Sequence, residues 1–167
     1  MNNDVFTETQ SFRKSWRFYL LGAAVFMVIL FMFKTLPQIK TNNINYFRQI
    51  ITPLFGLLAI AVTYSLTFTI VIDEEGIKYK WAPFMFSYTV LPWKAIESVN
   101  VRSYRPLAEF GGWGFKFNFK ETAYTVSGDQ GIEIKKHGKK RLLLLGTAKS
   151  EEAKFYINQY SPEVENK

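Results

Sequence analysis

The stretch TYSLTFTIVIDEEGIKYKW, Thr63 to Trp81, decides how the chain divides. From Leu66 its β-branched and aromatic residues favour a strand over a helix. Asp73-Glu74-Glu75-Gly76 then reads as a turn, because Gly76 can adopt the positive φ that a tight reversal demands. Beyond the turn Ile77, Tyr79 and Trp81 alternate with Lys78 and Lys80, the period of a half-buried strand. A β-hairpin is therefore expected here, and everything before it has a different character.

Upstream, no charge occurs between Gln49 and Ile72, and FYLLGAAVFMVILFMF from Phe18 to Phe33 is equally free of charge. A bilayer core of about 30 Å needs roughly 20 helical residues. The two runs accordingly predict a transmembrane helical hairpin over residues 16–65, with spans at about 16–36 and 46–64. Trp16 and Tyr19 stand where interfacial aromatics are favoured. Pro53 falls in the early turns of the second helix, where a missing N–H is tolerated best. A cleaved signal peptide is the weaker alternative, because no small-x-small site follows the first run and a second run comes soon after. Residues 1–15 are read as an N-terminal tail. The basic excess of the C-terminal part places that part and both termini on the cytoplasmic face of a two-span cell-membrane protein.

The net charge of +7 does not indicate nucleic acid. Residues 73–167 hold 15 Lys/Arg against 12 Asp/Glu, so the C-terminal part lacks the concentrated basic surface that a nucleic-acid domain presents. The absence of Cys excludes disulfides, thiolate metal sites and a Cys nucleophile. His137 is the only histidine, Ser127-Gly128 lacks a Gly-x-Ser-x-Gly context, and Glu97, Glu109 and Glu121 are scattered along the chain. No catalytic constellation, metal site or cofactor is expected, and the chain is not read as an enzyme.

Residues 66–160 predict a mainly-β domain of about seven strands closed by a C-terminal helix, with 161–167 as a tail. Phe84, Phe86, Tyr88 and Val90 share one face of an expected strand. Ile96 to Tyr104 forms the next, and Trp113, Phe115, Phe117 and Phe119 alternate with polar residues or glycine in another. Two consecutive hairpins are expected: 123–127 into 132–136 through Gly128-Asp129-Gln130-Gly131, then across His137-Gly138 into 140–145. After Gly146 the period changes. Ser150 is the expected N-cap, Glu151 and Glu152 suit the first turn, and Ala153, Ile157 and Tyr160 line one face. Such a helix covers the open end of a small barrel or sandwich.

The residues Arg105-Pro106, Glu109-Phe110-Gly111-Gly112-Trp113-Gly114, Ala123 through Gly128 with Gly131-Ile132, and Leu145-Gly146-Thr147 resemble the signature of small bacterial membrane proteins with a pleckstrin-homology-like domain. The resemblance covers about Leu66 to Tyr160, and a helical hairpin usually precedes the domain in that group. It implies a fold and not an activity. Inositide binding is not carried over, because the first hairpin loop is the acidic Asp73-Glu74-Glu75, unsuited to a phosphate.

Two candidate surfaces remain. The first is Arg105, Pro106, Glu109, Phe110 and Trp113, where an exposed Trp on a glycine-rich loop could anchor a protein partner or a second copy of the chain. The competing reading is that the glycines only permit a tight approach to the following strand. The second is the tip Lys135, Lys136, Lys139, Lys140 and Arg141, a candidate for anionic lipid headgroups or simply a solvated basic turn. The expected role is a membrane-anchored binding or scaffold module. An anionic-lipid sensor and a non-catalytic subunit of a membrane enzyme complex are the alternatives.

Overall fold

The structure is a computed structural model that describes residues 5–12, 16–35 and 43–161. The chain forms two compact units, residues 11–66 and residues 1–10 with 67–167.

The first unit holds helix α1 (Trp16–Thr35) and helix α2 (Asn43–Ser65). They touch where Gly56 meets Val25; a Cβ on Gly56 would lie 3.1 Å from a Val25 methyl. At the end of α2 the Thr63 hydroxyl donates to the Ala59 carbonyl at 2.8 Å, and the Ser65 hydroxyl to Val62 at 2.9 Å. Among the described residues no helix is long and apolar enough to cross a membrane. The transmembrane hairpin expected at 16–36 and 46–64, the multi-pass membrane placement and the cytoplasmic termini are corrected accordingly: the structure gives a pair of packed helices. Part of the expected connection, 36–42, lies outside the described residues.

The second unit is built on two sheets. Strands β1 (Phe6–Ser11), β2 (Thr67–Asp73), β3 (Gly76–Ala82) and β4 (Thr89–Pro92) form one, in the order β1-β2-β3-β4. The other contains β5 (Ile96–Ser103), β6 (Gly114–Phe117), β7 (Glu121–Thr125), β8 (Gln130–Lys136) and β9 (Leu142–Gly146), in the order β5-β8-β9-β7-β6. The described residues thus form nine strands instead of about seven.

The alternation that predicts the first hairpin is what buries it. Phe68, Ile70 and Ile72 point inward from β2 and stand opposite Trp81, Tyr79 and Ile77 of β3. The turn between them depends on Gly76 at φ 150°, since a Cβ there would lie 2.0 Å from the Leu91 carbonyl oxygen. Asp73 closes the turn by accepting from the Glu75 and Gly76 amides at 3.0 and 3.3 Å. The sheets meet through Tyr124 of β7, whose ring lies 5.4–6.2 Å from those of Phe68, Tyr79 and Trp81. Helix α4 (Ser150–Tyr160) packs against β2, β5 and β8 and buries Ala153 and Ile157. Its N-cap is Lys149 and not Ser150, which is the first helical residue.

Four departures concern individual elements. Strand β1 lies where a tail is expected, because three of its inward residues are Glu8, Gln10 and Ser11, and apolar periodicity cannot reveal a polar face. Hydrogen bonds compensate for burying Glu8. Its carboxylate accepts from the Thr147 hydroxyl, from the Ala148 amide at 2.8 Å and from the Gln10 side chain at 2.9 Å. Of the strand expected over 84–90 only Thr89 onward is formed, and Phe84 and Phe86 are exposed. The expected hairpin of β7 with β8 is absent: β9 lies between them, antiparallel to β8 and parallel to β7. The stretch after Arg105, for which no strand or helix is expected, contains a short helix, α3 (Pro106–Phe110). Of the expected tail, Ser161 is buried, and 162–167 lie outside the described residues.

Phe6 is fully buried, with its ring 6.0 Å from that of Tyr156 on α4. Phe6→Ala should lower the unfolding free energy by about 3–5 kcal/mol, measured by denaturant unfolding of the full chain. An unchanged midpoint would show that β1 contributes nothing to the core.

Candidate functional site

The residues after β5 turn through α3 and enter β6. Pro106 opens α3 at a position where a missing N–H costs nothing, and Gly111 ends it at φ 69°, a left-handed cap. The Gly111 and Gly112 amides donate back to Leu107 and Pro106 at 3.0 and 2.9 Å. Phe110 packs edge-on to Tyr104, which is buried with Ala123 and Leu144. Burial pushes the Tyr104 phenol up to about 12, against the pull of the neighbouring Thr125 hydroxyl. No well-formed hydrogen bond among the described residues meets that hydroxyl. Trp113 donates its indole N–H to the Gly128 carbonyl at 2.7 Å, so its ring is held against the β7–β8 loop.

Of the five candidate contact residues, Glu109, Phe110 and Trp113 have these partners inside the fold, Pro106 begins a helix, and Arg105 is exposed. Glu109 belongs to a cluster that is invisible in one dimension. Arg102 on β5 donates to Glu133 at 2.7 Å, to both oxygens of Glu121 at 3.0 and 2.9 Å, and to Glu109 at 3.1 Å. Glu109 also accepts from the Arg105 amide at 2.6 Å. The carboxylates therefore converge, but on a guanidinium that engages all three. Among the described residues no group of three or more His, Asp or Glu is arranged to hold a metal ion. The β5–β8 register contains the clue, because Arg102 faces Gly131 and Glu133 lies two residues along the same face. That clue can be read only once the pairing is known.

The cluster splits its carboxylates. Burial pushes Glu121 above the usual carboxylate range, with Arg102 opposing and Glu133 and Glu109 reinforcing. Burial acts upward on Glu109 as well, but the Arg105 amide and Arg102 outweigh it and hold Glu109 below the range.

The basic tip also divides. Lys135 pairs with Glu97. Lys136, Lys139 and Arg141 line a cleft of about 250 Å³ together with Tyr79, Thr122, Tyr124, Leu142 and Leu143. Lys140 is exposed and does not line it. The ion pairs among the described residues use Lys78, Arg102, Lys135 and Lys149, and none uses the three cleft cations. Burial, helped by Lys139, holds the Lys136 ammonium below its ordinary value.

An aromatic row stands beside this cleft. β6 is the outer strand of its sheet and carries Phe115 and Phe117, 52% and 69% exposed, followed by the fully exposed Phe119. Phe115 lies 6.4 Å from Phe117 and 5.0 Å from Tyr124, the residue that also walls the cleft.

Comparison with protein-family models, curated proteins and solved structures finds no match.

Arg102→Met should cost about 3 kcal/mol, because it leaves three partly buried carboxylates without their cation. The pH dependence has two parts. Glu109, lowered in the fold, contributes stability that is lost as pH falls below the usual carboxylate value of 4.5. Glu121, raised in the fold, acts oppositely: stability falls as pH rises from 4.5 through its folded value. Glu121→Gln should flatten the decline above pH 4.5 while keeping the loss below it. Denaturant unfolding at a series of pH values reads both, and a parallel offset across the whole range would contradict the assignment.

Proposed function

We propose that the β-rich unit is a binding module that receives an extended segment of a protein partner along the free edge of β6. The exposed aromatic row on that edge carries the reading. An outer strand offers unpaired N–H and C=O groups to an incoming strand, and side-chain pockets along it supply selectivity. Folded proteins usually guard such edges with charge, yet on β6 the sole charged residue is Lys116, between Phe115 and Phe117. Leaving two aromatic rings more than half exposed beside it forgoes burial worth about 1.5–3 kcal/mol per ring. A partner segment with apolar residues at alternate positions would recover it.

Arg105 and Leu107, both exposed on the stretch leading into this strand, extend the surface without forming its centre. Trp113 has a supporting role, since its bond to Gly128 steadies the approach to β6. The resemblance to pleckstrin-homology-like domains implies a fold alone, and it supplies no partner.

Peptides selected from a random display library against the full-length chain should carry alternating apolar residues. Phe117→Asp should weaken them at least about tenfold while shifting stability by no more than about 0.5 kcal/mol, as for other exposed positions. Selected peptides that bind Phe115→Asp and Phe117→Asp as well as the parent chain would remove β6 from the proposal.

A further inference from the structure

We propose that the cleft between β3, β7 and the β8–β9 loop is a binding site for a phosphate-bearing small molecule. Three cations reach it from one loop: Lys136 at the end of β8, then Lys139 and Arg141. The basic residues elsewhere in this unit that form ion pairs do so with carboxylates: Lys78 with Asp73 and Glu75, Lys135 with Glu97, Lys149 with Glu152, and Arg102 with three glutamates. The cleft cations have no such partner among the described residues, and no Asp or Glu lines the cavity. Like charges gathered around a partly desolvated space repel one another, and an anion seated between them reverses that energy.

The chemistry narrows the anion. A phosphate monoester carries about −1.5 to −2 at neutral pH and presents three acceptor oxygens, enough to meet three donors at once. A single carboxylate would leave two cations unneutralised. The guanidinium of Arg141 suits two phosphate oxygens together, and lysine ammonium groups suit the remainder. Thr122 supplies a hydroxyl, and the Tyr79 and Tyr124 rings supply flat apolar wall for a small organic substituent.

Size sets how much of a ligand the cleft can seat. The cavity of about 250 Å³ is smaller than the roughly 300–1,000 Å³ of sites that enclose drug-sized ligands. It fits a phosphate with a few attached atoms, such as glycerol phosphate, whether free or as the headgroup of a lipid. A polynucleotide would need its cations spread along a groove with stacking platforms, and here they line one small cleft.

Titration of the full-length chain with inorganic phosphate and with glycerol 1-phosphate, followed calorimetrically, tests the site. Saturable binding of both is expected, with glycerol 1-phosphate the tighter. Lys136→Met with Arg141→Met should weaken it at least about tenfold, in line with the loss of charge-assisted contacts. Lys135→Met, which removes a neighbouring charge already held by Glu97, should leave binding unchanged, as should Phe117→Asp. Circular dichroism confirms that each variant is folded. Absence of saturable phosphate binding overturns the proposal, as does equal weakening by Lys135→Met, which would reduce the effect to general charge. Vesicles containing phosphatidic acid then separate the sources. Their competition with glycerol 1-phosphate assigns the site to a lipid headgroup, and failure to compete assigns it to a soluble phosphate; either result sustains the phosphate chemistry.

Discussion

The placement of β9 between β8 and β7 is the constraint on which the rest of the β-rich unit depends. Leu143, Leu144 and Leu145 are all buried, and a run of consecutive apolar residues can be satisfied only in a strand covered on both faces. Once β9 is central, β8 must pair on one side and β7 on the other, and β6 is pushed to the outside. The β8–β9 loop is then carried to the end of the cleft, where Thr122 and Tyr124 of β7 meet Tyr79 from the opposite sheet. One strand insertion therefore creates both surfaces of interest, the free edge and the cationic cavity.

Tyr124 joins these surfaces. Its ring touches the inward aromatics of the first sheet, walls the cavity and lies against Phe115 of the outer strand. Burial pushes its phenol up, in keeping with its place at the junction of the sheets. Arg102 does comparable work elsewhere: its three carboxylates come from α3, β7 and β8, so one side chain ties together elements distant in sequence. Such a network draws its worth from being complete, because each member left unpaired in a partly buried setting is costly.

Much of the fold was legible. The β2–β3 hairpin, the strands around Ile96–Ser103 and Gly114–Phe117, and the C-terminal helix with Ala153 and Ile157 inward all follow from periodicity. The apolar runs at the start are helical, although a membrane-crossing helix is not found among the described residues. Strand β1 was illegible because Glu8, Gln10 and Ser11 are buried by hydrogen bonds and position, which apolar patterning does not report. The basic tip was legible as composition, but its division into Lys135, paired with Glu97, and three cations facing a cavity was not.

By itself the sequence determined most of the strands and helices, β1, α3 and the shortened β4 apart, because a clear local period of hydrophobicity suits one backbone geometry. It also determined the β2–β3 turn, because Gly76 occupies a backbone conformation that other residues strain to adopt. Beyond the β2–β3 and β8–β9 hairpins, only the tertiary structure decided which strands are neighbours. Pairing depends on competition among distant segments for the same buried edge, and β9 prevails between β8 and β7 because its apolar run has no other place to be covered. The cluster around Arg102, the exposed edge of β6 and the convergence of Lys136, Lys139 and Arg141 all follow from that outcome.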